Sequence, residues 1–330
     1  MQKHANISIF VPHMGCPNMC SFCNQRYITK TAEIPNEQTI EDAVNVAKNS
    51  PNYNPQNTEI AFFGGSFTAI EFAFMERLLK KAYEYVKNGE VCGIRISTRP
   101  DAISREILDV LKKYGVTTIE LGAQSMSDNV LSAINRGHTA DDVRNAAKLI
   151  NQNGFTLGLQ MMTGLPNSNP SIDMFTASEF VRLKAKQVRI YPTIVLEDTE
   201  LANSFKKGEY IPQSVEKAAG ECAQLLKVFD AANIRVIRLG LHTIDTSKFV
   251  AGPWHPAFRE LCESQIMLKQ TISKLENMPQ GNYNIHVNKS NVSKMIGQSK
   301  ANINRLLALG YNCRVLADEK VDNNEITITR

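Results

Sequence analysis

The feature that most constrains the fold is an alternation of short apolar segments with longer amphipathic segments over the first three quarters of the chain. The short segments are rich in β-branched and aromatic residues and predict strands, whereas the longer ones have helical periodicity. Strands that alternate with helices form parallel sheets covered by helices. The predicted strands are 7–11, 59–63, 93–98, 118–122, 155–162, 187–192 and 235–240.

Six or seven strand-and-helix units within roughly 240 residues predict an α/β fold of the TIM-type barrel or partial-barrel kind. A doubly wound open sheet is disfavoured because no Gly-rich dinucleotide fingerprint follows the first predicted strand. Several predicted helices begin at a Ser or Thr that can cap them. They cover 39–48, 72–86, 104–114, 140–153 and 214–232.

The pattern ends at 252–256, where the sequence Gly-Pro-Trp-His-Pro interrupts it. We expect a barrel over 1–255, a connecting helix and linker over 256–281, and a small α/β domain over 282–330. The last region is typical of a strand, a helix, a tight turn, a helix and two strands. Its predicted elements are 283–287, 291–296, 301–309, 312–317 and 325–329.

No segment of the sequence predicts a membrane span. Of the 330 residues, 43% are hydrophobic and 21% charged, and the apolar runs are much shorter than the ~20 residues of a spanning helix. The first residues lack the basic and then apolar pattern of a signal peptide. We therefore expect a cytoplasmic protein with no membrane partner. The net charge of +4 is compatible with a nucleic-acid partner without requiring one.

The chain has seven cysteines, and Cys16, Cys20 and Cys23 lie within eight residues directly after the first predicted strand. In a reducing cytosol such a cluster indicates metal binding or catalysis. Three thiolates can bind three irons of a [4Fe-4S] cluster and leave the fourth iron open. The alternative is a zinc site with His13 as fourth ligand, although no second cysteine pair is present. The other cysteines are interpreted as buried free thiols: Cys92, Cys222, Cys262 and Cys313.

The cysteine spacing, with Phe22 before the third cysteine, resembles the signature of the radical S-adenosylmethionine (SAM) superfamily. The resemblance implies that Cys16, Cys20 and Cys23 bind a [4Fe-4S] cluster with SAM on the fourth iron, within a partial (β/α)6 barrel. It also implies reductive cleavage of SAM to a 5′-deoxyadenosyl radical that abstracts hydrogen from a substrate. The expected electron donor is a flavodoxin or a ferredoxin.

Further motifs follow successive predicted strands, where a barrel places its active site. Gly64, Gly65 and Ser66 resemble the glycine motif of the family, which contacts the methionine amino group of SAM. Relatives often carry Glu at the position of Ser97, which the resemblance places at the ribose. No catalytic residue is predicted. The residues to which the resemblance assigns SAM contacts are Phe22, Gly64, Gly65, Ser66, Ser97, Gln124, Ser125, Arg136, Gln160 and Tyr191.

Within the superfamily, the His-Met-Gly-Cys-Pro, Gly-Gly-Ser-Phe-Thr, Thr-Arg-Pro-Asp and Arg-Gly-His runs resemble the branch of the Elongator catalytic subunit. That enzyme modifies carbon 5 of the wobble uridine in tRNA and carries a C-terminal acetyltransferase domain. The 55 residues after position 275 are too few for such a domain. We therefore expect a shortened relative to which acetyl transfer does not carry over.

The last region contains a run that resembles the nucleic-acid-binding loop of KH domains, with Lys300 in place of the second glycine. KH loops clamp single-stranded backbone with amides at a helix N-terminus. From position 282 onward the chain carries seven Lys or Arg and four acidic residues, a net charge of +3. The alternative is a structural cap over the end of the barrel. The predicted RNA contacts are Lys294, Gly297, Gln298, Ser299 and Lys300.

Three functions are compatible with these patterns. The first is a radical SAM enzyme that modifies a tRNA base similar to the wobble uridine. The second is a radical SAM oxidoreductase acting on a small molecule, as the anaerobic coproporphyrinogen oxidases do. The third is a non-catalytic iron-sulfur or zinc protein that binds RNA. The first is preferred because the SAM motifs are complete and the last region is similar to a KH domain.

Overall fold

A parallel sheet forms the centre of the computed structural model, which describes residues 4–11, 16, 19–24, 33–241, 244–323 and 325–330. Within these ranges the strands are β1 (Ala5–Val11), β2 (Thr58–Gly64), β3 (Gly93–Thr98), β4 (Val116–Gln124), β5 (Thr156–Thr163), β6 (Gln187–Pro192), β7 (Val195–Leu196), β8 (Arg235–Leu239), β9 (Phe249–Ala251), β10 (Gly281–Val287), β11 (Tyr311–Ala317) and β12 (Thr327–Thr329).

The helices of the described ranges lie between these strands. They are α1 (Glu37–Lys48), α2 (Phe72–Lys87), α3 (Arg105–Lys113), α4 (Asp128–Ala133), α5 (Ala140–Gln152), α6 (Pro170–Arg182), α7 (Glu200–Lys206), α8 (Val215–Ala231), α9 (Phe258–Leu275), α10 (Val292–Ile296) and α11 (Ala301–Ala308). None of them is long and apolar enough to cross a membrane.

The main sheet of the described chain has seven strands in the order β1-β2-β3-β4-β5-β6-β8. All neighbouring strands are parallel. The chain adds each strand to the same edge, so the order never reverses as it does in a doubly wound sheet. The sheet curls into a partial barrel, and the predicted fold class is confirmed.

The helices cover the outer face of this sheet. α5 begins with a capping box in which Thr139 and Asp142 satisfy each other's backbone N–H groups. Val143 and Ile150 of α5 lie in the main apolar core together with the strand residues Val188 and Ile190. Successive side chains of a strand point to opposite faces, so Arg189 of β6 points to the concave interior.

The concave interior holds a chain of buried charged side chains. Arg95 donates to Glu59 at 2.7 Å and to Glu120 at 2.8 Å, and Arg95 is 1% exposed. Arg189 donates two hydrogen bonds to the Glu120 carboxylate. The charges alternate in sign across β2, β3, β4 and β6, which satisfies each buried group and joins the four strands.

The C-terminal elements form a second sheet in which β10 lies between β11 and β12. β10 pairs parallel with β11 and antiparallel with β12. The order strand, helix, helix, strand, strand agrees with the expectation for 282–330. Met267 and Leu275 of α9 pack into the core of this unit, whereas Phe258 and Cys262 pack into the barrel core. α9 therefore contributes to both cores. The predicted domain boundaries at 255 and 281 lie just before and just after this helix, and they remain proposals.

Candidate functional site

The three clustered cysteines lie beyond the carboxyl end of β1. Cys20 is buried, and Cys16 and Cys23 are partly buried. The backbone N–H of Ser21 donates to the carbonyl of Ile134 at 3.1 Å, and that of Leu201 donates to the carbonyl of Ser21 at 2.8 Å. These bonds attach the second half of the loop to α4 and α7. His13, the alternative zinc ligand, lies outside the described residues.

Two guanidinium groups face the cysteines. Arg136 Nη1 donates to Cys20 Sγ at 3.3 Å. Burial is the largest influence on Cys16 and raises the pKa of its thiol, whereas the charges of Arg136 and Arg99 act in the opposite direction. The backbone N–H of Ser66 also lowers the pKa of Cys16. Burial outweighs these contributions and keeps the pKa of the Cys16 thiol raised, while the two guanidinium charges and the N–H donor partly offset it.

The glycine run after β2 brings its backbone against β1. Gly64 has a φ of +110°, and a Cβ on it would lie 2.8 Å from the carbonyl oxygen of Val11. The N–H of Gly65 donates to the same oxygen at 2.7 Å. A side chain at Gly64 would therefore separate β1 from β2. The residue type is required by this close approach, which also holds the cysteine loop beside β2.

Ser66 connects the ends of β2 and β3. Its Oγ lies 2.9 Å from Thr98 Oγ1 and accepts a hydrogen bond from the N–H of Arg99 at 3.1 Å. Ser66 is 1% exposed, so its hydroxyl is occupied by the protein and aligns the two strand ends. Gly64, Gly65 and Ser66 thus lie together beside Cys16.

Ser97 and Gln160 meet in the concave interior. Gln160 Nε2 donates to Ser97 Oγ at 3.1 Å and to Glu120 Oε2 at 2.9 Å. Both amide protons of Gln160 are therefore used, and its oxygen is the atom left to accept from a ligand. The contact attaches these two predicted SAM residues to the buried charges below them.

Gln124 and Arg136 lie over Gly122 at a bulge in β4. The register of β4 shifts between Gly122 and Gln124, and Gln124 has a φ of 68°. A Cβ on Gly122 would lie 2.8 Å from Arg136 Nη2 and 3.2 Å from Gln124 Nε2. The bulge thus turns Gln124 toward Arg136, and the glycine leaves room for both side chains.

The other predicted SAM residues are spread more widely. Ser125 is fully buried and accepts from the N–H of Ser127 at 3.2 Å, with its Oγ 3.5 Å from Thr176 of α6. Its hydroxyl is thus used on the helix side of the sheet. Phe22 and Tyr191 both pack on one apolar cluster that includes Met162.

The donors and acceptors present fit an iron-sulfur cluster and SAM. Within the described chain, Arg136 Nε and Gln124 Oε1 are buried without a hydrogen-bond partner. A free guanidinium N–H suits a carboxylate, and a free amide oxygen suits an amine or a hydroxyl. Among the described residues, no three His, Cys, Asp or Glu side chains converge as a single metal ion requires. A [4Fe-4S] cluster needs no such convergence, because each thiolate binds its own iron.

Sequence reasoning assigned no role to Arg99 and His138, although both belong to motifs that it singled out. Arg99 pairs with Asp101 at 2.8 Å and donates to the carbonyl of Arg136, also at 2.8 Å. His138 Nε2 lies 3.3 Å from the carbonyl oxygen of Ala123. Burial, and then the charge of Arg136, lowers the pKa of His138 to about 4. Arg99 thus holds the backbone of Arg136, and His138 holds the backbone of Ala123, which precedes Gln124.

The KH-like loop lies apart from the cysteines, after α10. Gly297, Ser299 and Lys300 have φ values of 76°, 51° and 62°, so the tight turn forms without a second glycine. Gln298, Ser299 and Lys300 are exposed. Lys294 pairs with Glu263 of α9 at 2.8 Å. Three of the five predicted RNA contacts thus lie on an open surface, and Lys294 is engaged by an acid.

Comparison with known proteins identifies relatives of this fold and site. A profile of the Radical SAM superfamily matches residues 10–175, and one of the Radical SAM C-terminal domain matches residues 185–268. The chain is 25% identical over 256 residues to the tRNA uridine(34) acetyltransferase of Methanocaldococcus infernus, covering 65% of this chain and 47% of that protein. It is 27% identical over 230 residues to Elongator complex protein 3 of Dictyostelium discoideum, covering 64% of this chain and 41% of that protein.

A solved structure shares the fold. The archaeal Elp3 of Methanocaldococcus infernus, with its N-terminus deleted, superposes with a TM-score of 0.61 at 21% identity. The superposition covers 85% of this chain and 65% of the solved chain. The matches therefore span about two fifths to two thirds of the length of these relatives.

Proposed function

The chain belongs to the radical SAM superfamily, and we propose that it is a member that modifies a tRNA base similar to the wobble uridine. Superfamily membership makes it an enzyme that uses a [4Fe-4S] cluster and SAM. The observation that carries the proposal of a tRNA substrate is the alignment of 256 residues with a tRNA uridine(34) acetyltransferase.

Cys16, Cys20 and Cys23 would hold the cluster. When bound and reduced, the cluster supplies the electron that cleaves SAM to a 5′-deoxyadenosyl radical and methionine. The hydrogen bond from the N–H of Gly65 to the carbonyl oxygen of Val11 holds the end of β1, which precedes the cysteines, against β2. Cys20 is buried and Cys16 is partly buried, which limits the access of water to this chemistry.

The side chains over Gly122 would orient the methionine part of SAM. Arg136 Nε, left without a partner in the described ranges, is the donor for its carboxylate. Gln124 Oε1, equally unpartnered there, is the acceptor for its amino group or a ribose hydroxyl. Gln160 presents its oxygen from the concave interior, because Ser97 and Glu120 take both of its amide protons.

The C-terminal loop would hold the RNA backbone. Gln298, Ser299 and Lys300 are exposed at the start of α11, and Lys300 adds a positive charge beside backbone N–H groups. Gln298 Nε2 lies 3.3 Å from His255 Nε2, so the loop contacts the segment between the barrel and α9. RNA bound there would be held beside the barrel.

The activity is tested by anaerobic reconstitution with iron and sulfide, followed by dithionite and SAM. We expect 5′-deoxyadenosine, with its rate raised by tRNA and not by coproporphyrinogen. Cys20→Ala should lose the cluster absorbance and the product, since three ligands leave none to spare. Cys222→Ala, a buried cysteine of α8, is the matched control and should keep both. Absence of 5′-deoxyadenosine from the wild-type protein would disprove the proposed enzyme.

The role of the loop is tested by tRNA retention. Lys300→Glu should weaken tRNA binding, because it reverses the charge at the exposed turn. Lys320→Glu makes the same charge change at an exposed turn of the same unit and should bind tRNA as the wild type does. Equal tRNA binding by both variants would count against a role of the loop in RNA binding.

The modified base is identified by mass spectrometry of tRNA nucleosides from cells with and without the gene.

A further inference from the structure

Arg136 contacts a predicted cluster ligand and not only the space for SAM. Its guanidinium donates from Nη1 to Cys20 Sγ at 3.3 Å and from Nη2 to the carbonyl oxygen of Gly122. Arg136 is 7% exposed. Arg99 donates to the carbonyl oxygen of Arg136 at 2.8 Å and so fixes the backbone that carries this side chain. The guanidinium is thus held against the sulfur by several contacts.

These contacts change what Arg136 can do for SAM. Nη1 and Nη2 each have one N–H engaged by these contacts, so a carboxylate can meet only their second N–H groups and Nε without displacing Cys20 or Gly122. Nε is the nitrogen that has no partner among the described residues. One guanidinium can therefore contact the cofactor through Nε while its Nη1 stays on the sulfur.

A donor on a thiolate sulfur affects the reduction of an iron-sulfur cluster. Reduction adds one electron and makes the cluster and its ligands more negative. Hydrogen bonds to the sulfurs and the charges around them stabilise this state and raise the reduction potential. The effect is large where water is excluded, because buried charges are weakly screened. Cys20 and Arg136 are both buried, so the contact between them is weakly screened.

We propose that Arg136 sets the reduction potential of the cluster, through its hydrogen bond to Cys20 Sγ, in addition to contacting SAM. The inference rests on the proposed function, in which Cys16, Cys20 and Cys23 hold the cluster. The electron comes from a low-potential one-electron donor, which is oxidised as the cluster is reduced. Arg136 takes no part in the transfer and acts as a positioning residue that stabilises the reduced cluster.

The test is a redox titration of the reconstituted full chain without SAM, followed by electron paramagnetic resonance of the reduced cluster. Arg136→Gln removes the charge and should lower the equilibrium constant for reduction about tenfold, which is 59 mV for one electron. Arg136→Lys keeps the charge with different donor geometry and should give a smaller shift in the same direction. Since SAM is absent, loss of a SAM contact alone cannot produce either shift.

The outcomes separate the inference from the proposed function. A midpoint potential that is unchanged in both variants, with SAM binding weakened, would overturn the redox role and leave Arg136 as a SAM contact. If Arg136→Gln fails to load iron, the Arg136→Lys titration decides the question in the same way. A wild-type protein without a cluster, or full loading of Cys20→Ala, would refute the proposed function itself.

Discussion

Replacing Glu59 by Gln removes one charge from the buried chain in the barrel without changing the size of the side chain. Glu59 is 5% exposed, near the amino end of β2. Arg95 donates to its Oε2 from Nη2 at 2.7 Å and from Nε at 2.9 Å. Thr117 donates to its Oε1 at 2.7 Å, and His4 Nε2 lies 3.0 Å from its Oε2. The variant leaves Arg95 paired with Glu120 alone.

The magnitude follows from the pKa of Glu59. Burial is the largest single influence and acts to raise it, but His4, Arg95 and Thr117 together lower the pKa from 4.5 to about 2. At ~1.4 kcal/mol per pH unit, this gap corresponds to about 3 kcal/mol of stability. Because the pKa is lower in the folded state, this stability is present above pH 4.5 and is lost as the pH falls toward 2. Gln has no such dependence.

We expect Glu59→Gln to lower the free energy of unfolding by about 3 kcal/mol at pH 7, and the difference from wild type to shrink as the pH falls below 4.5. Urea denaturation followed by circular dichroism across this pH range measures both effects. Asp141→Asn is the control, because Asp141 pairs with Arg144 at the same 2.7 Å but is 80% exposed. It should cost at most about 1 kcal/mol. Equal losses in the two variants would refute the argument from burial.

Three further substitutions test other parts of the structure. Burial and then the neighbouring Glu221 carboxyl raise the pKa of Asp173 to about 8, so the wild type should lose stability as the pH rises toward 8, and Asp173→Asn should not. Melting curves at pH 6 and pH 9 would contradict this if the two proteins changed in parallel. Gly64→Ala should lower the melting temperature by several degrees, because its Cβ meets the Val11 carbonyl at a φ of +110°. Ser66→Ala removes two buried hydrogen bonds and should cost about 1–3 kcal/mol in urea denaturation, and no loss would mean that the end of β3 is held by other contacts.

The sequence predicted the sheet better than the helices. β3 and β6 begin and end at the predicted residues, because β-branched residues recur at every second position in each of these short segments. α6 was not among the predicted helices, although Asn169 caps it and a proline opens it. Its buried face includes Asp173, Thr176 and Glu179, and these polar residues interrupt the apolar stripe by which a helix is recognised. α4 has only six residues, which is too short for a helical period to show.

The sequence allowed a prediction of which site residues lie near one another, but not of the contacts between them. Residues at the carboxyl ends of successive strands lie together in any parallel barrel, so the proximity of Ser66, Ser97 and Gln124 could be predicted from strand order. Their assignment to SAM came from the resemblance to the family and stays a prediction. The bond from Arg136 to Cys20 joins residues 116 positions apart. It depends on the bulge in β4 and on the path of the loop after β1. Neither feature has a periodic pattern in the sequence, and neither can be obtained from strand order.

The amino half of the barrel and the region beyond the carboxyl ends of its strands differ in whether their buried polar groups have hydrogen-bond partners. This difference predicts which residues serve stability and which serve ligand binding. In the amino half, Glu59, Arg95 and Glu120 satisfy one another, and a satisfied buried network rigidifies the strands. Beyond the carboxyl ends, Arg136 Nε and Gln124 Oε1 are buried without partners in the part of the chain that the structure describes. A buried polar atom without a partner costs about 1–3 kcal/mol, which a ligand that supplies the missing partner returns. Substitutions in the amino half of the barrel should therefore change the free energy of unfolding. Substitutions at Arg136 should change SAM binding and the reduction potential of the cluster.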